Sequence, residues 1–252
     1  MKISAVIITY NEERNIERCL QSLVGVADEI VVVDSLSTDS TAAICRKYNV
    51  AFIEQKFLGY IEQKNFAADK ATHEYVLSLD ADELLSPELQ NWLLQEKQAA
   101  QPADAYKFNR LNNYCGQWIK HGAYYPDRKL RLWKNGIGKW GGENPHDQFI
   151  PTTDVPTKII ALPILHYSFA TRQEHVQQMQ KFSSIAANTM QKKGKKANAL
   201  RPWLSAIWSF INGYIIKMGW LDGANGLFIA ITNARYTYWK YAKLRALNQN
   251  AQ

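Results

Sequence analysis

Three short apolar runs decide most of what this chain can become. ISAVIIT at Ile3–Thr9, EIVVVD at Glu29–Asp34 and YVLSLD at Tyr75–Asp80 are rich in aliphatic residues, and each ends on a polar or acidic one. Near-continuous apolar strands of this kind are buried on both faces, the habit of a parallel sheet covered by helices. Helical spacing fills the gaps between them. Ile16, Cys19, Leu20 and Leu23 share one helix face, and Ser37, Thr38 and Asp39 supply caps for the next helix. The pattern predicts helices over 11–24, 37–48 and 61–71, a further strand over 50–53, and a helix over 88–98 after Pro87. The fold class that follows is α/β with a mostly parallel central sheet. Residues 103–170 hold shorter β-like runs among many aromatics and read as less regular, and from Thr171 onward the pattern is helical. We expect a catalytic domain over 1–170 and a helical appendage over 171–252.

In an open parallel sheet, ligands bind beyond the carboxyl ends of the strands. Three polar clusters stand at those ends: Thr9, Tyr10, Asn11 and Glu12; Asp34, Ser35, Ser37 and Asp39; and Asp80, Ala81, Asp82 and Glu83. Asp80 and Asp82, two apart where a strand turns, suit a hard divalent cation such as Mg²⁺ or Mn²⁺, which takes oxygen ligands and leaves room for water and phosphate. A second reading of DADE is an acid cluster at a helix N-terminus. A carboxylate at Asp34 can accept from a base N–H or a ribose hydroxyl. No GxGxxG or GxxxxGK[ST] sits at a strand–helix junction, which disfavours a dinucleotide enzyme and a P-loop NTPase.

Charge adds a second theme. The 252 residues carry 30 Lys and Arg against 23 Asp and Glu, a net charge of +7. Polyanion binding is disfavoured by the three acidic strand ends, so nucleic acid is not an expected partner. Lys192, Lys193, Lys195 and Lys196 instead adjoin a stretch studded with Trp203, Trp208, Phe210, Tyr214 and Trp220. Broken by Ser205, Ser209, Asn212 and Gly213, that stretch falls short of the ~20 apolar residues a membrane span needs. The composition fits helices lying on an anionic membrane surface, and equally a dimer interface. Three widely spaced cysteines and no CxxC argue against a disulfide scaffold, and the N-terminus does not read as a signal peptide. The expected setting is cytoplasmic, peripheral on the inner face of the cytoplasmic membrane.

ITYNEERNIERCLQSL, EIVVVDSLSTDST, GYIEQKNFAADKA and VLSLDADE, in that order and spacing, resemble the inverting family 2 glycosyltransferases of GT-A fold. The closer likeness is to the lipopolysaccharide-core glucosyltransferase-like subgroup, whose later signatures RKLRLWKNGIGKWGGENPHDQF and the C-terminal membrane-associated helices resemble. The resemblance implies a metal-dependent transfer of a sugar, by default glucose, from a UDP-sugar to a lipid-linked or lipopolysaccharide-core saccharide. It implies that Thr9, Tyr10, Asn11 and Glu12 line the nucleotide pocket, that Asp34 reads the base beside Ser35, and that Lys64 approaches the diphosphate with Asn65 nearby. Asp80, Ala81 and Asp82 would form the DxD-type motif, with His166 as a further metal ligand or a structural residue.

Inversion needs a carboxylate to take the acceptor hydroxyl proton. Asp147 and Glu143 in GGENPHDQF are the candidates, Asp147 being the positional match. In the blander reading either acid pairs with Arg128 or Arg131. Those two arginines, in PDRKLR, could instead clamp a phosphate through their planar forks. Two other classes compete: a nucleotidyltransferase-like enzyme, which would want a basic loop where TYNEE stands, and a non-enzymatic membrane-binding module.

Overall fold

The first apolar runs do form the parallel strands, and the rest of the sheet grows from them. The computed structural model describes residues 1–143 and 146–249, and for Glu143 and His146 the backbone alone. It divides into two units, Met1–Arg110 with Asp127–Tyr167, and Leu111–Pro126 with Ser168–Gln252. Residues 111–126, placed with the catalytic part by the sequence reading, thus cluster with the C-terminal helices.

In the first unit β1 (Ile3–Thr9), β2 (Glu29–Asp34), β3 (Ala51–Glu54) and β4 (Tyr75–Asp80) alternate with α1 (Ile16–Leu23), α2 (Thr41–Cys45) and α3 (Tyr60–Asp69). β5 (Glu83–Leu85) and α4 (Pro87–Glu96) follow, then β6 (Ala105–Tyr114), β8 (Asp127–Lys134) and β11 (Thr157–Phe169), with β9 (Gly138–Glu143) and β10 (His146–Pro151) forming a hairpin. β7 (Gln117–Ile119) pairs with the end of β6 inside the second unit. The main sheet runs β3-β2-β1-β4-β8-β6-β11-β5. Its first four strands are parallel, while β8 joins β4 and β6, and β11 joins β5, antiparallel. The chain winds outward from β1 through β2 to β3, then returns to place β4 on the other side of β1. That reversal is the topological switch point at which ligands settle.

The core is the one the pattern predicts. Ile3, Ile7, Leu77 and Leu79 pack against Ile16, Leu20 and Leu23 of α1, all buried. Each such side chain contributes about 1.5–3 kcal/mol relative to exposure. α4 starts where Ser86 caps Leu89 N–H at 3.2 Å with Pro87 in the first turn. The helix expected over 37–48 shrinks to the five residues of α2 because the hydroxyls before it are spent elsewhere, as described below. Residues 103–170 are more regular than their pattern: β6 is ten residues and β11 thirteen. Polar residues interrupt both strands, which hides the alternation.

The second unit is mainly helical, with α5 (Arg172–Lys192), α6 (Arg201–Phe210) and α7 (Gly223–Gln249), α6 continuing into a π-helical turn at Ile211–Ile216. A capping box starts α5: Thr171 accepts from Glu174 N–H and Glu174 accepts from Thr171 N–H. Lys243 of α7 ties to α5 through Gln180 O at 3.0 Å and Ser183 Oγ at 2.7 Å. Gly226 lies so close to the Gly219 carbonyl that a Cβ there would collide with it. His175 is fully buried between the hydroxyls of Tyr114 and Tyr124, at 3.0 and 2.9 Å, and stacks on Phe169. Burial pushes its pKa down to about 4, so the ring is neutral. Among the described residues no helix is long and apolar enough to cross a membrane.

Candidate active site

The carboxyl ends of β1, β2 and β4 are aligned by register, Thr9 with Asp34 and Ile8 with Asp80. Asp34 is only 2% exposed. Its carboxylate accepts from Thr9 Oγ1 at 2.7 Å, Ser37 N at 2.7 Å and Ser37 Oγ at 2.6 Å. Three of its roughly four acceptor positions are therefore filled, leaving one for a ligand N–H or O–H. Asn11, in the left-handed region at φ 55°, takes Thr38 N–H on its side-chain oxygen at 2.8 Å and gives its own N–H to Ser37 Oγ at 2.8 Å. Asp39 accepts from Thr41 N and Oγ1. These bonds hold residues 34–40 as a built loop rather than a first helical turn. Ser35 Oγ receives Gln63 Nε2 at 3.1 Å, and Tyr10 is exposed. Burial raises the Glu12 carboxyl, a hydrogen bond from Asn15 opposes the rise, and the negative Asp82 adds to it.

Deeper in, charges are buried in a chain. Lys64 Nζ lies 2.8 Å from Asp80 Oδ1 and 2.7 Å from Asp147 Oδ2. Arg131 Nη2 lies 2.7 Å from Asp80 Oδ2 and 2.6 Å from Glu83 Oε1. Arg110 joins Glu83 at 3.3 Å and Asp127 at 2.7 Å. Burial alone would raise the Asp80 carboxyl, but the guanidinium of Arg131 and the ammonium of Lys64 outweigh it and hold it well below the usual carboxylate range. The same carboxylates outweigh desolvation at Lys64 and Arg131 and raise both.

Local folding explains how these groups meet. In the β6–β8 pairing Tyr106 faces Leu132 and Lys107 faces Leu130, so Arg131 is the extra residue of a β-bulge. A bulge re-aims its side chain. β8 also leaves β4 after the Leu77–Leu132 pair, and Arg131, 3% exposed, fills the wedge that opens beneath Asp80. Asn65 grips the backbone of Trp140, donating to its carbonyl at 3.0 Å and accepting its N–H at 2.9 Å. That grip fixes the β9–β10 hairpin on α3, bringing Lys64 to Asp147. Trp140 gives Lys64 an aromatic face, 4.5 Å from ring centroid to Nζ.

DADE is a tight turn between β4 and β5, four residues before α4, so its reading as a helix N-terminus does not hold. β11 pairs with β5 with His166 opposite Glu83. His166 Nε2 thereby comes 3.1 Å from Asp82 Oδ2. Two donors on neighbouring corners of an octahedron with bonds of about 2.1 Å sit about 3 Å apart, so this pair fits a hard cation whose other ligands are water and phosphate. The expected trio does not form. Among the described residues no group of three His, Cys, Asp or Glu could hold a metal, because both oxygens of Asp80 face Lys64 and Arg131.

The structure thus brings together Lys64, Asp80, Arg131 and Asp147 in one chain of contacts, and Asp82 with His166. Asp147 pairs with Lys64 rather than with an arginine. Arg128 is exposed, whereas Arg131 is buried against Asp80 and Glu83. Asn65 spends its amide on Trp140, and Ala81 is buried. The side chain of Glu143 lies outside the described residues, as do Asn144 and Pro145. Sequence reading missed Arg110 and Asp127, charges in strands as polar as AYKFNRLNNY and DRKLRLWK, and Gln63, which precedes Lys64.

Known proteins share this architecture. The model of glycosyl transferase family 2 matches residues 4–151. An uncharacterized glycosyltransferase of Rickettsia typhi is 33% identical over 98% of this chain and 88% of its own. The lipopolysaccharide core biosynthesis glycosyltransferase LpsC of Rhizobium meliloti is 28% identical over 97% of this chain and 92% of its own. A mannosyltransferase from Pyrobaculum calidifontis, solved with GDP-Man and Mn²⁺, superposes with a TM-score of 0.53 at 16% identity, covering 96% of this chain and 86% of that one, which supports the GT-A fold. The nucleotidyltransferase and non-enzymatic readings give way to these matches. The protein is a glycosyltransferase and belongs to family 2.

Proposed function

We propose that this enzyme transfers a sugar, by default glucose, from a UDP-sugar to a saccharide acceptor that is lipid-linked or part of a lipopolysaccharide core, inverting the anomeric centre. The observation that carries the reading is the Lys64 bridge between Asp80 and Asp147, which couples a diphosphate-seeking cation to a carboxylate positioned as a base. The kinship with LpsC supports the acceptor class, and the Mn²⁺ and GDP-Man of the mannosyltransferase support a metal and a nucleotide-sugar donor.

Asp34, with one acceptor position open, takes a hydrogen from base or ribose, while Thr9 and Ser37 hold it in place. Asp82 and His166 would hold Mn²⁺ or Mg²⁺, which supplies positive charge to the diphosphate. Asp147 keeps Oδ2 on Lys64 and offers Oδ1 to the acceptor. As the acceptor oxygen attacks the anomeric carbon, Asp147 takes its proton and the bond from that carbon to the β-phosphate oxygen breaks. Charge gathers on the departing diphosphate, where Lys64 can meet it and Arg131 adds its positive charge from behind Asp80. Asp80 serves by orienting these two cations. The work is assigned to the inner face of the cytoplasmic membrane, in keeping with the exposed aromatic helices.

The test is Asp147→Asn assayed with Mn²⁺ over a panel of nucleotide sugars. Transfer should fall by roughly 10²–10⁴-fold, the usual share of a general base, while donor binding, read as thermal stabilisation, persists. Undiminished transfer by Asp147→Asn would remove this assignment of the base.

A further inference from the structure

The second unit holds two grooves near the packing of α6 on α7, one at the start of α6 and one along it. α6 runs antiparallel to α7 there: Arg201 lies over the Tyr241 ring at 5.2 Å and Trp203 meets the Tyr238 ring at 4.7 Å. At the Arg201 end a groove of about 370 Å³ is lined by Lys195, Lys196, Asn198, Arg201 and Tyr241. Further along the same seam, a groove of about 500 Å³ is walled by Trp203, Ile207, Phe210, Ile231 and Tyr238, with Arg235 its one charged wall residue. Both volumes fall within the roughly 300–1,000 Å³ of small-molecule sites. The first groove carries three cations and no acid. Its positive field registers on Tyr241, whose hydroxyl is lowered by a hydrogen bond to Arg201 and by the charges of Lys240 and Lys195.

The flank of α6 beyond the seam adds a third observation. Trp203, Ile207 and Trp208 are 60%, 55% and 61% exposed, and Leu200 and Leu204 beside them are exposed too. Aliphatic and indole side chains bared next to lysines and arginines match the order of a bilayer interface, where Trp sits at headgroup level and cations meet phosphate. Arg201 of the cationic groove stands two residues from Trp203 of the carbon-lined one, and Tyr241 one helical turn from Tyr238, so the pair is complementary to one anionic amphiphile.

We propose that the α6–α7 seam seats one acidic phospholipid of the bilayer surface, its phosphate among Lys195, Lys196 and Arg201 and an acyl chain between Ile207, Phe210 and Ile231. This sharpens the membrane placement above and is independent of the sugar-transfer reading, since it needs neither donor nor acceptor. Orientation follows from it: α6 lies in the interface with the π-helical turn, and α7 backs it from the protein side.

The full-length chain, with no sugar nucleotide present, would be sedimented with vesicles of phosphatidylcholine alone or mixed with phosphatidylglycerol. Binding should require phosphatidylglycerol. It should weaken about fivefold for each of Lys195→Gln and Lys196→Gln, the scale of one cation at an anionic surface, and about tenfold or more for Ile207→Asp, the scale of one lost apolar anchor. A phospholipid carrying a diazirine in its acyl chain should crosslink to residues 203–210 and 231–238. All three variants should keep the wild-type thermal midpoint and donor hydrolysis in detergent, which separates lipid binding from folding and catalysis. Equal binding to both vesicle types, or crosslinks mapping elsewhere, would overturn the proposal. So would light scattering showing a dimer that Ile207→Asp splits while vesicle binding stays intact, which would assign the face to a second copy of the chain.

Discussion

Glu83 and Arg131, both inaccessible to solvent, form an ion pair inside the sheet unit, whereas Trp203, Leu204 and Trp208 of the helical unit stand in water. One unit hides charge and the other bares carbon, and each choice runs against stability. A buried ion pair regains little more than its desolvation cost and is often matched by apolar residues of the same shape. A contiguous apolar surface invites association. Such departures from local stability mark places reserved for ligands. In the sheet unit the ligand suggested is a polyanionic leaving group needing fixed cations; in the helical unit it is an amphiphile needing an open apolar face. Two histidines run against the contrast: His166 of the sheet unit is partly open beside Asp82, while His175 of the helical unit is sealed between two tyrosines.

The largest expected effect comes from breaking the buried charge chain. Arg131→Met leaves Asp80 and Glu83 without their main counter-ion, and a buried charge stripped of its partner costs about 3–5 kcal/mol. Urea unfolding should report a loss of that size; a loss under about 1 kcal/mol would mean the network is solvated rather than buried. Asp82→Ala probes chemistry at the same edge, where the carboxylate faces the His166 imidazole. Its side chain carries no buried ion pair, so stability should hold while transfer falls about 10³-fold, or ~4 kcal/mol, the scale of one lost transition-state charge stabiliser. Wild-type turnover by Asp82→Ala would detach the metal from this site.

In the helical unit the corresponding test is pH. His175 has its pKa pushed down from 6.5 to about 4, so the folded ring stays neutral where the unfolded ring takes a proton. Stability from this group is complete above pH ~6.5 and is lost as the pH falls toward about 4, by about 3 kcal/mol in all. Comparing urea unfolding at pH 7 and pH 4.5 for wild type and His175→Gln isolates the term, because the variant should lose the part of the pH slope that wild type owes to this ring. An unchanged slope would place the ring's proton affinity near its ordinary value.

What was legible in the sequence was whatever depends on neighbours along the chain. The apolar runs of β1, β2 and β4 and the spacing of Ile16, Cys19, Leu20 and Leu23 marked the parallel half of the sheet, and their polar ends marked its ligand edge. Contacts that depend on register across strands were hidden. Nothing in RKLRLW announces that Arg131 is a bulge residue aimed at Asp80, since that follows from how β8 meets β6 and leaves β4. Lys64 and Asp147 are separated by 83 residues, and what joins them is the grip of Asn65 on the Trp140 backbone. Arg110 was missed because a charge in AYKFNRLNNY looks like an exposed strand position until Glu83 and Asp127 are set beside it. Asp80 and Asp82 are close in sequence, yet Asp80 faces Lys64 and Arg131 while Asp82 faces His166, a division set by the same register across strands.

The smallest effect on stability sharpens the comparison most. Ile207 in α6 and Leu77 in β4 are both aliphatic, but Ile207 is 55% exposed and Leu77 fully buried. Leu77→Ala should cost about 2–5 kcal/mol, the transfer term plus a cavity under α1. Ile207→Ser, on a surface with no ion pair or cap to lose, should change stability by no more than about 0.5 kcal/mol. If solvent is the native surrounding of Ile207, nothing else should change either. If a bilayer is, Ile207→Ser should leave the urea midpoint in buffer untouched, yet remove most of the extra thermal stability that phosphatidylglycerol vesicles confer on the wild type, because a ligand stabilises only the state that binds it. A large destabilisation in buffer alone would mean that Ile207 packs inside the molecule like Leu77, and the contrast between the two units would dissolve.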